Sequence, residues 1–339
     1  MKEDATKPGS RPYIADFGDI FELRCAARAS LVDVQVAPAI LEEVLRTNDS
    51  TVRDRMARIL TLQWWKRLMP EAYREAFEVA AEIGRLHPDW MRKQADHRFH
   101  DLLKRDWLSG WWRRVRQHPG NEARCLSEVE GTQVAAAREE AQTLRKLLSQ
   151  SKIGFDTVDL RSLQAGLSEN KPRSHWWRIE NCDYYWRQLF LEQSPFCQWI
   201  HGTVDIRRVR AEGPEWQRMW LSETDEVRLP CAWLRSAMNI LQALRKQSDG
   251  TPCDNQLGIY LLDSDVFVTA DRIMAAIIRK MRPCSPVPMA EVMQVPGGPA
   301  GVTQTMDMLR DMRPCNISRG PSQRTRNKSG LEAPTSSRS

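Results

Sequence analysis

No apolar run in this sequence approaches the roughly 18 residues that a membrane-crossing helix needs. The opening residues, "MKEDATKPGSRPY", hold no apolar stretch of the secretory type. No C-x-x-C occurs, and the eight cysteines, from Cys25 to Cys315, are scattered. Such spacing argues against the common zinc modules and against a disulfide framework. The patterns G-x-S-x-G, G-x-x-x-x-G-K-[ST] and G-x-G-x-x-G are also missing. Serine hydrolase, P-loop and dinucleotide-binding readings therefore lack their central motifs. A soluble, cytoplasmic protein with reduced, buried thiols is the expectation.

The 339 residues are 41% hydrophobic and 28% charged, so a sizeable core can be buried. The net charge of +6 permits nucleic-acid binding without requiring it. "PYI" at 12–14 reads as a short strand, followed by Asp16. "FGDIFELRCAARAS" has helical spacing, and "LVDVQVAP" alternates Val32, Val34 and Val36 as a strand does. Pro38 opens the helix "PAILEEVLR". Strand–helix–strand–helix is the grammar of a parallel sheet.

From residue 48 to about 117 the pattern turns almost wholly helical, a further polar helix runs to about 150, and 151–228 is less regular, with short aromatic-rich pieces and proline breaks. A strong helix returns at "LPCAWLRSAMNILQALRKQ", 229–247. "DNQLGIYLLDS" reads as a helix with Asp254 at its cap, "DVFVTAD" as a buried strand, and "PVPMAEVMQV" as an edge strand. The expected organisation is α/β: residues 11–47 and 229–296 form one mostly parallel sheet domain. A large all-helical insertion, 48–228, interrupts it, and 297–339 is a flexible basic tail.

Carboxylates fall at telling places in this scheme. Asp16 follows the first strand, Glu43 lies in the helix after the second, and Asp254 opens a late helix. Asp271 ends the strand that comes next, 17 residues after Asp254. Ligands of open parallel sheets gather beyond the carboxyl ends of strands. Four converging carboxylates would repel one another unless a cation neutralised them. Oxygen donors of this kind suit Mg²⁺ or Mn²⁺, which can polarise a phosphodiester and activate water. Asp263 and Asp265 read as surface charges at a helix–strand junction.

This pattern resembles the PIN-domain family of metal-dependent ribonucleases, which includes the toxins of bacterial toxin–antitoxin pairs. The resemblance rests on Glu43 before Val44, on Asp254 opening "DNQLGIYLL", and on Thr269 and Asp271 in "FVTADR". "ADFGD" stands where the family has its first acidic site, so Asp16 or Asp19 would be that ligand. The resemblance implies a PIN-like three-layer fold around a mostly parallel central sheet. It implies a nuclease, a hydrolase of RNA phosphodiesters, with Asp16, Glu43, Asp254 and Asp271 as catalytic and metal-binding residues and Mg²⁺ or Mn²⁺ as cofactor. Thr269 and Asn255 would orient water or a ligand carboxylate. The expected partners are an RNA substrate, an antitoxin-like protein and a second copy of the chain. A non-catalytic PIN-like scaffold, whose insertion binds a partner protein or RNA, is the second reading.

Thirteen tryptophans complete the picture. "WWKR" (64–67), "WWRR" (111–114), "HWWR" (175–178) and "YYWR" (184–187) set aromatics against cations. Rings that stack on bases, with arginines on phosphates, hold single-stranded nucleic acid. Trp111, Trp112, Arg113 and Arg114 are the residues expected to do so. Such pairs also suit half-buried helix contacts. "HRFH" at 97–100 lacks a third ligand nearby and reads as helix surface.

Overall fold

Helical spacing of apolar residues runs through most of the chain, and helices dominate its structure. A computed structural model describes residues 17–28, 32–150, 152–165, 174–191, 193–245 and 251–311; side chains at 17–20, 129–141, 147, 149, 164–165, 174 and 251–254 lie outside that description.

The order is α1 (Phe17–Arg28), β1 (Gln35–Val36), α2 (Pro38–Leu45), α3 (Ser50–Leu60), β2 (Lys66–Arg67) and α4 (Glu71–Leu86). Then come α5 (His97–Arg105), a π-helical segment Asp106–Trp111, α6 (Trp112–Gln117) and the long α7 (Pro119–Gln150). A hairpin of β3 (Gln164–Ala165) and β4 (Ser174–His175) precedes α8 (Trp176–Phe190), α9 (Pro195–Ile200), α10 (Ile206–Ala211) and α11 (Gly213–Arg218). The remainder is α12 (Pro230–Ala243), α13 (Thr251–Ile259), β5 (Val266–Thr269), α14 (Arg272–Met281), β6 (Glu291–Gln294) and α15 (Pro299–Asp311).

The fold is thus helix-rich and mixed, with short parallel strand pairs. β1 pairs in parallel with β2, Gln35 facing Lys66. β5 pairs in parallel with β6, from Val266 opposite Glu291 to Thr269 opposite Gln294. Among the described residues each sheet has two strands, which corrects the expectation of one central sheet. The alternation of Val32, Val34 and Val36 becomes a strand only at 35–36. Pro38 and Pro70 end the ladder on both sides, because proline brings no N–H to it. The expected strand at 12–14 lies outside the described residues. The later strands agree better with expectation: β5–α14–β6 is a parallel strand–helix–strand unit. Residues 299–311, expected within the flexible tail, instead form α15. Its Arg310 pairs with Glu22 of α1 at 2.6 Å.

Short helices start where a side chain can satisfy their free N–H groups. Asp49 accepts from Thr51 N and Val52 N at 2.9 and 3.1 Å. Asp96 caps α5 and Asp205 caps α10. Gly110 lies within the π-helical segment, close to the Asp106 side chain. A Cβ on Gly110 would stand 2.1 Å from Asp106 Oδ1, in space that the Asp106–Arg114 ion pair occupies.

The main core joins α2, α4, α8, α9, α12 and α14, so the helical stretch 48–228 and the later segment share one interior. Trp90, Trp216 and Trp220 sit deep within it. Their indoles would cost free energy if left unbonded. Trp90 Nε1 donates to Glu212 at 2.7 Å and Trp216 Nε1 to the Cys182 carbonyl at 3.1 Å, whereas Trp220 Nε1 has no partner among the described residues. A second core gathers Leu41, Val44 and Leu45 of α2 with Ala57, Trp65, Trp112 and Val115.

A polar seam crosses the main core. Glu71, Glu75 and Glu78 lie three or four residues apart on α4, on one helix face. Glu71 accepts from Gln256 of α13 at 2.9 Å. Glu75, 1% exposed, pairs with Arg235 of α12. Glu78 accepts from Cys231 N at 2.9 Å and from the Cys231 thiol at 3.0 Å. Burial holds the Glu78 carboxyl above its ordinary 4.5, against the opposing pull of Cys231 and Arg74. The native state then keeps this proton more tightly than the unfolded chain. Stability is lost as pH rises from 4.5 through the native value, and stays lost above it. Glu78→Gln removes that titration. Relative to the parent, the variant should gain stability over this window, read from urea midpoints at several pH values. A difference that stays constant with pH would refute the assignment.

Candidate metal centre

Two of the four expected carboxylates have described side chains. Glu43 lies on α2, whose Leu41, Val44 and Leu45 face the second core. This burial turns Glu42 and Glu43 off the apolar face, and both are half-buried. α2 packs against α13, the helix that carries Asp254. α13 begins at Thr251 rather than at Asp254, with Pro252 in its first turn. Asp254 therefore ends that turn instead of capping it, and its side chain is outside the described set, as is all of Asp16.

Acidic density does converge where α2, α4 and α13 meet. Tyr260 follows α13 and donates to the Met69 carbonyl at 3.1 Å and to Glu71 at 3.3 Å. Burial first, then Glu71 and Glu42, hold the Tyr260 phenol protonated well above its ordinary range. The sequence places Glu42 with Glu43 in the helix after the second strand, but Glu71 was not anticipated from it. The signal for Glu71 was its place at the start of α4's carboxylate stripe. On the opposite side, Asn255 donates to Asn239 of α12, and Asn239 donates to Glu180 of α8. The residue after Asp254 is thus anchored to two helices by neutral amides.

Asp271 stands after β5 and caps α14. Its Oδ1 accepts from Ile273 N at 2.7 Å and from Met274 N at 3.0 Å. Thr269 Oγ1 accepts from Asp271 N at 3.0 Å and so shapes the turn. Both cap bonds use one carboxylate oxygen. Asp263 pairs with Arg74 at 2.5 Å, as a junction charge would. Among the described residues no three His, Cys, Asp or Glu side chains are grouped as a metal site. Glu43 and Asp271 are among those residues; the side chains of Asp16 and Asp254 are not.

The tryptophan–arginine cluster divides. Trp112 is fully buried, and Trp111 stacks on Trp107 with centroids 4.6 Å apart. Arg114 is held by Asp106 at 2.8 Å and Glu122 at 3.3 Å. Arg113 is exposed. "HWWR" and "YYWR" are likewise core pieces in part: Trp177 and Tyr185 are buried, and Arg178 bonds the Leu221 and Thr224 carbonyls.

No protein family, curated protein or solved structure matches the chain in the three comparisons made.

Proposed function

We propose that this protein is a PIN-like, Mg²⁺- or Mn²⁺-dependent endoribonuclease. The observation that carries the reading is the packing of α2 on α13, which brings the helices of Glu43 and Asp254 side by side. The parallel β5–α14–β6 unit, with "TAD" at the end of β5, supports the PIN-like fold. Asp16, Glu43, Asp254 and Asp271 would hold the cation. When bound, it supplies a Lewis acid for the phosphodiester and lowers the pKa of a water. Thr269 fixes the Asp271 backbone, and Asn255 fixes the first turn of α13 through Asn239. An RNA strand is the substrate, and an antitoxin-like protein and a second copy of the chain are the proposed partners. The non-catalytic scaffold is a second reading, favoured by the complete use of Asp271 Oδ1 as a cap.

Thermal unfolding with and without Mn²⁺ separates the two. Metal at a hundred times its dissociation constant stabilises by about 2.7 kcal/mol. The nuclease reading expects that gain together with Mn²⁺-dependent cleavage of single-stranded RNA. Absence of both sinks it.

A further inference from the structure

Six arginines away from the acidic region collect in one place. A groove of about 1680 Å³ runs between α1, α3 and α6. Arg24, Arg55, Arg58, Arg67, Arg113 and Arg116 line it, and Asp54 is the only carboxylate in the lining. Asp54 itself lies 3.4 Å from Arg53. Among the described residues none of the six arginines is in an ion pair, whereas Arg114 next door is fully engaged. Glu22, which could have answered Arg24 from the same helix, is turned to Arg310.

The arrangement follows from helix geometry. Arg55 and Arg58 are spaced i, i+3 on α3, and Arg113 and Arg116 are spaced i, i+3 on α6. Each pair therefore shares a face, and both faces open on the groove. Arg67 lies between the two walls, its guanidinium 5.3 Å from the Trp112 ring and bonded to the Leu108 carbonyl. Burial, and then the nearby Arg116 charge, lower its pKa. Like charges held this close destabilise a folded chain unless an anion occupies the space. The floor is apolar and aromatic: Ile59, Leu62, Trp64, and Phe21, which is 60% exposed. Trp64 is half-buried and stacked on Trp65 at 3.8 Å, so the ring is braced from behind.

We propose that this groove binds single-stranded nucleic acid. Its arginines would run along the phosphates, and Trp64 would receive a base. Rigid rings over an apolar floor take unpaired bases, and a bare arginine cluster takes phosphates; together they fit a strand with unstacked bases. An acidic polypeptide would use the cations but leave the ring idle. Neither Glu43 nor Asp271 lines the groove, so the site stands apart from the cleavage chemistry proposed above. If that chemistry holds, the groove is where the substrate's backbone is gripped.

The test is fluorescence anisotropy of a labelled oligouridylate titrated with the full chain in excess EDTA. Each phosphate contact on a single strand contributes about 0.7 to the salt exponent, a factor of about five near 0.1 M salt. Arg55→Ser/Arg58→Ser and Arg113→Ser/Arg116→Ser should each weaken binding about tenfold or more. The four changes together should weaken it on the order of 100-fold and flatten the salt dependence. Trp64→Leu should weaken binding with the salt slope unchanged. Arg218→Ser/Arg282→Ser, which removes two arginines ion-paired elsewhere, should leave binding intact. Glu43→Gln and Asp271→Asn should also bind as the parent does, so loss of cleavage and loss of the groove read separately. The proposal is overturned if the four-arginine variant binds like the control pair. It is equally overturned if poly-glutamate displaces the RNA at matched charge and Trp64→Leu has no effect, which would make the groove a docking surface for an acidic protein.

Discussion

Under the proposed nuclease reading, Asp271→Asn should leave the protein folded and remove Mn²⁺-dependent cleavage of RNA. The helix cap and the proposed metal ligand are the same side chain, and asparagine separates the two roles. As a cap, Asp271 Oδ1 accepts from Ile273 N and Met274 N. Asparagine presents a similar oxygen and caps about as well, whereas alanine gives up roughly 1 kcal/mol. As a metal ligand, however, the amide brings no charge to a site that needs negative ligands. Loss even of an outer-shell partner lowers metal affinity or activity by about 10–100-fold, so losing a direct ligand should reach 100-fold or more. In EDTA the asparagine variant should unfold close to the parent, and Asp271→Ala should unfold earlier. In Mn²⁺ both should lose cleavage. If Asp271→Asn cleaves at the parent's rate, Asp271 is a cap and nothing else.

The largest stability effect should come from Arg235. Its guanidinium is enclosed between Glu75 and the Tyr184 ring, 4.2 Å below it. Burial lowers its pKa to about 10, with Glu71 acting in the other direction. Removing one partner of a buried pair leaves the other charged without compensation, at about 3–5 kcal/mol. Arg235→Met should therefore reduce unfolding free energy by that amount in urea. Glu75→Leu/Arg235→Met should recover most of it, because a buried ion pair contributes little over an apolar pair of similar volume. A single variant that loses under 1 kcal/mol would place the pair in contact with water.

Sequence patterns reported local structure well and pairing poorly. The helices of 48–117 follow their 3–4 spacing, and Pro38 and Pro70 each bound an element as proline should. "DVFVTAD" became β5 with Asp271 as the following cap, because β-branched residues and a capping carboxylate act over a few residues. The extent of the sheet did not emerge from alternation. It depends on a partner strand, and β1 finds only Lys66 and Arg67 before Pro70 intervenes. Asp254 was misplaced by three residues because Pro252 suits a helix's first turn as well as the loop before it. In the candidate metal centre, Glu43 and Asp271 were legible from their elements. Glu71 was not, since only the meeting of three helices gathers it with Glu42 around Tyr260. The "WWRR" cluster shows the limit most plainly. Four adjacent residues include a buried ring, a neutralised arginine and a groove arginine, and only the tertiary surroundings sort them.

The six-residue π-helical segment before α6 acts as a rotary offset. In a regular α-helix each residue advances about 100° around the axis, and a π turn holds the chain back by adding a residue without completing extra rotation. The stretch Asp106–Trp111 therefore sets the angle at which α6 leaves α5. With that angle, Trp112 and Val115 point inward to the second core while Arg113 and Arg116 point to the groove. The Asp106–Arg114 pair spans this segment and ties its first residue to α6. It thereby bridges the junction from which the helix turns one side to the core and the other to the groove.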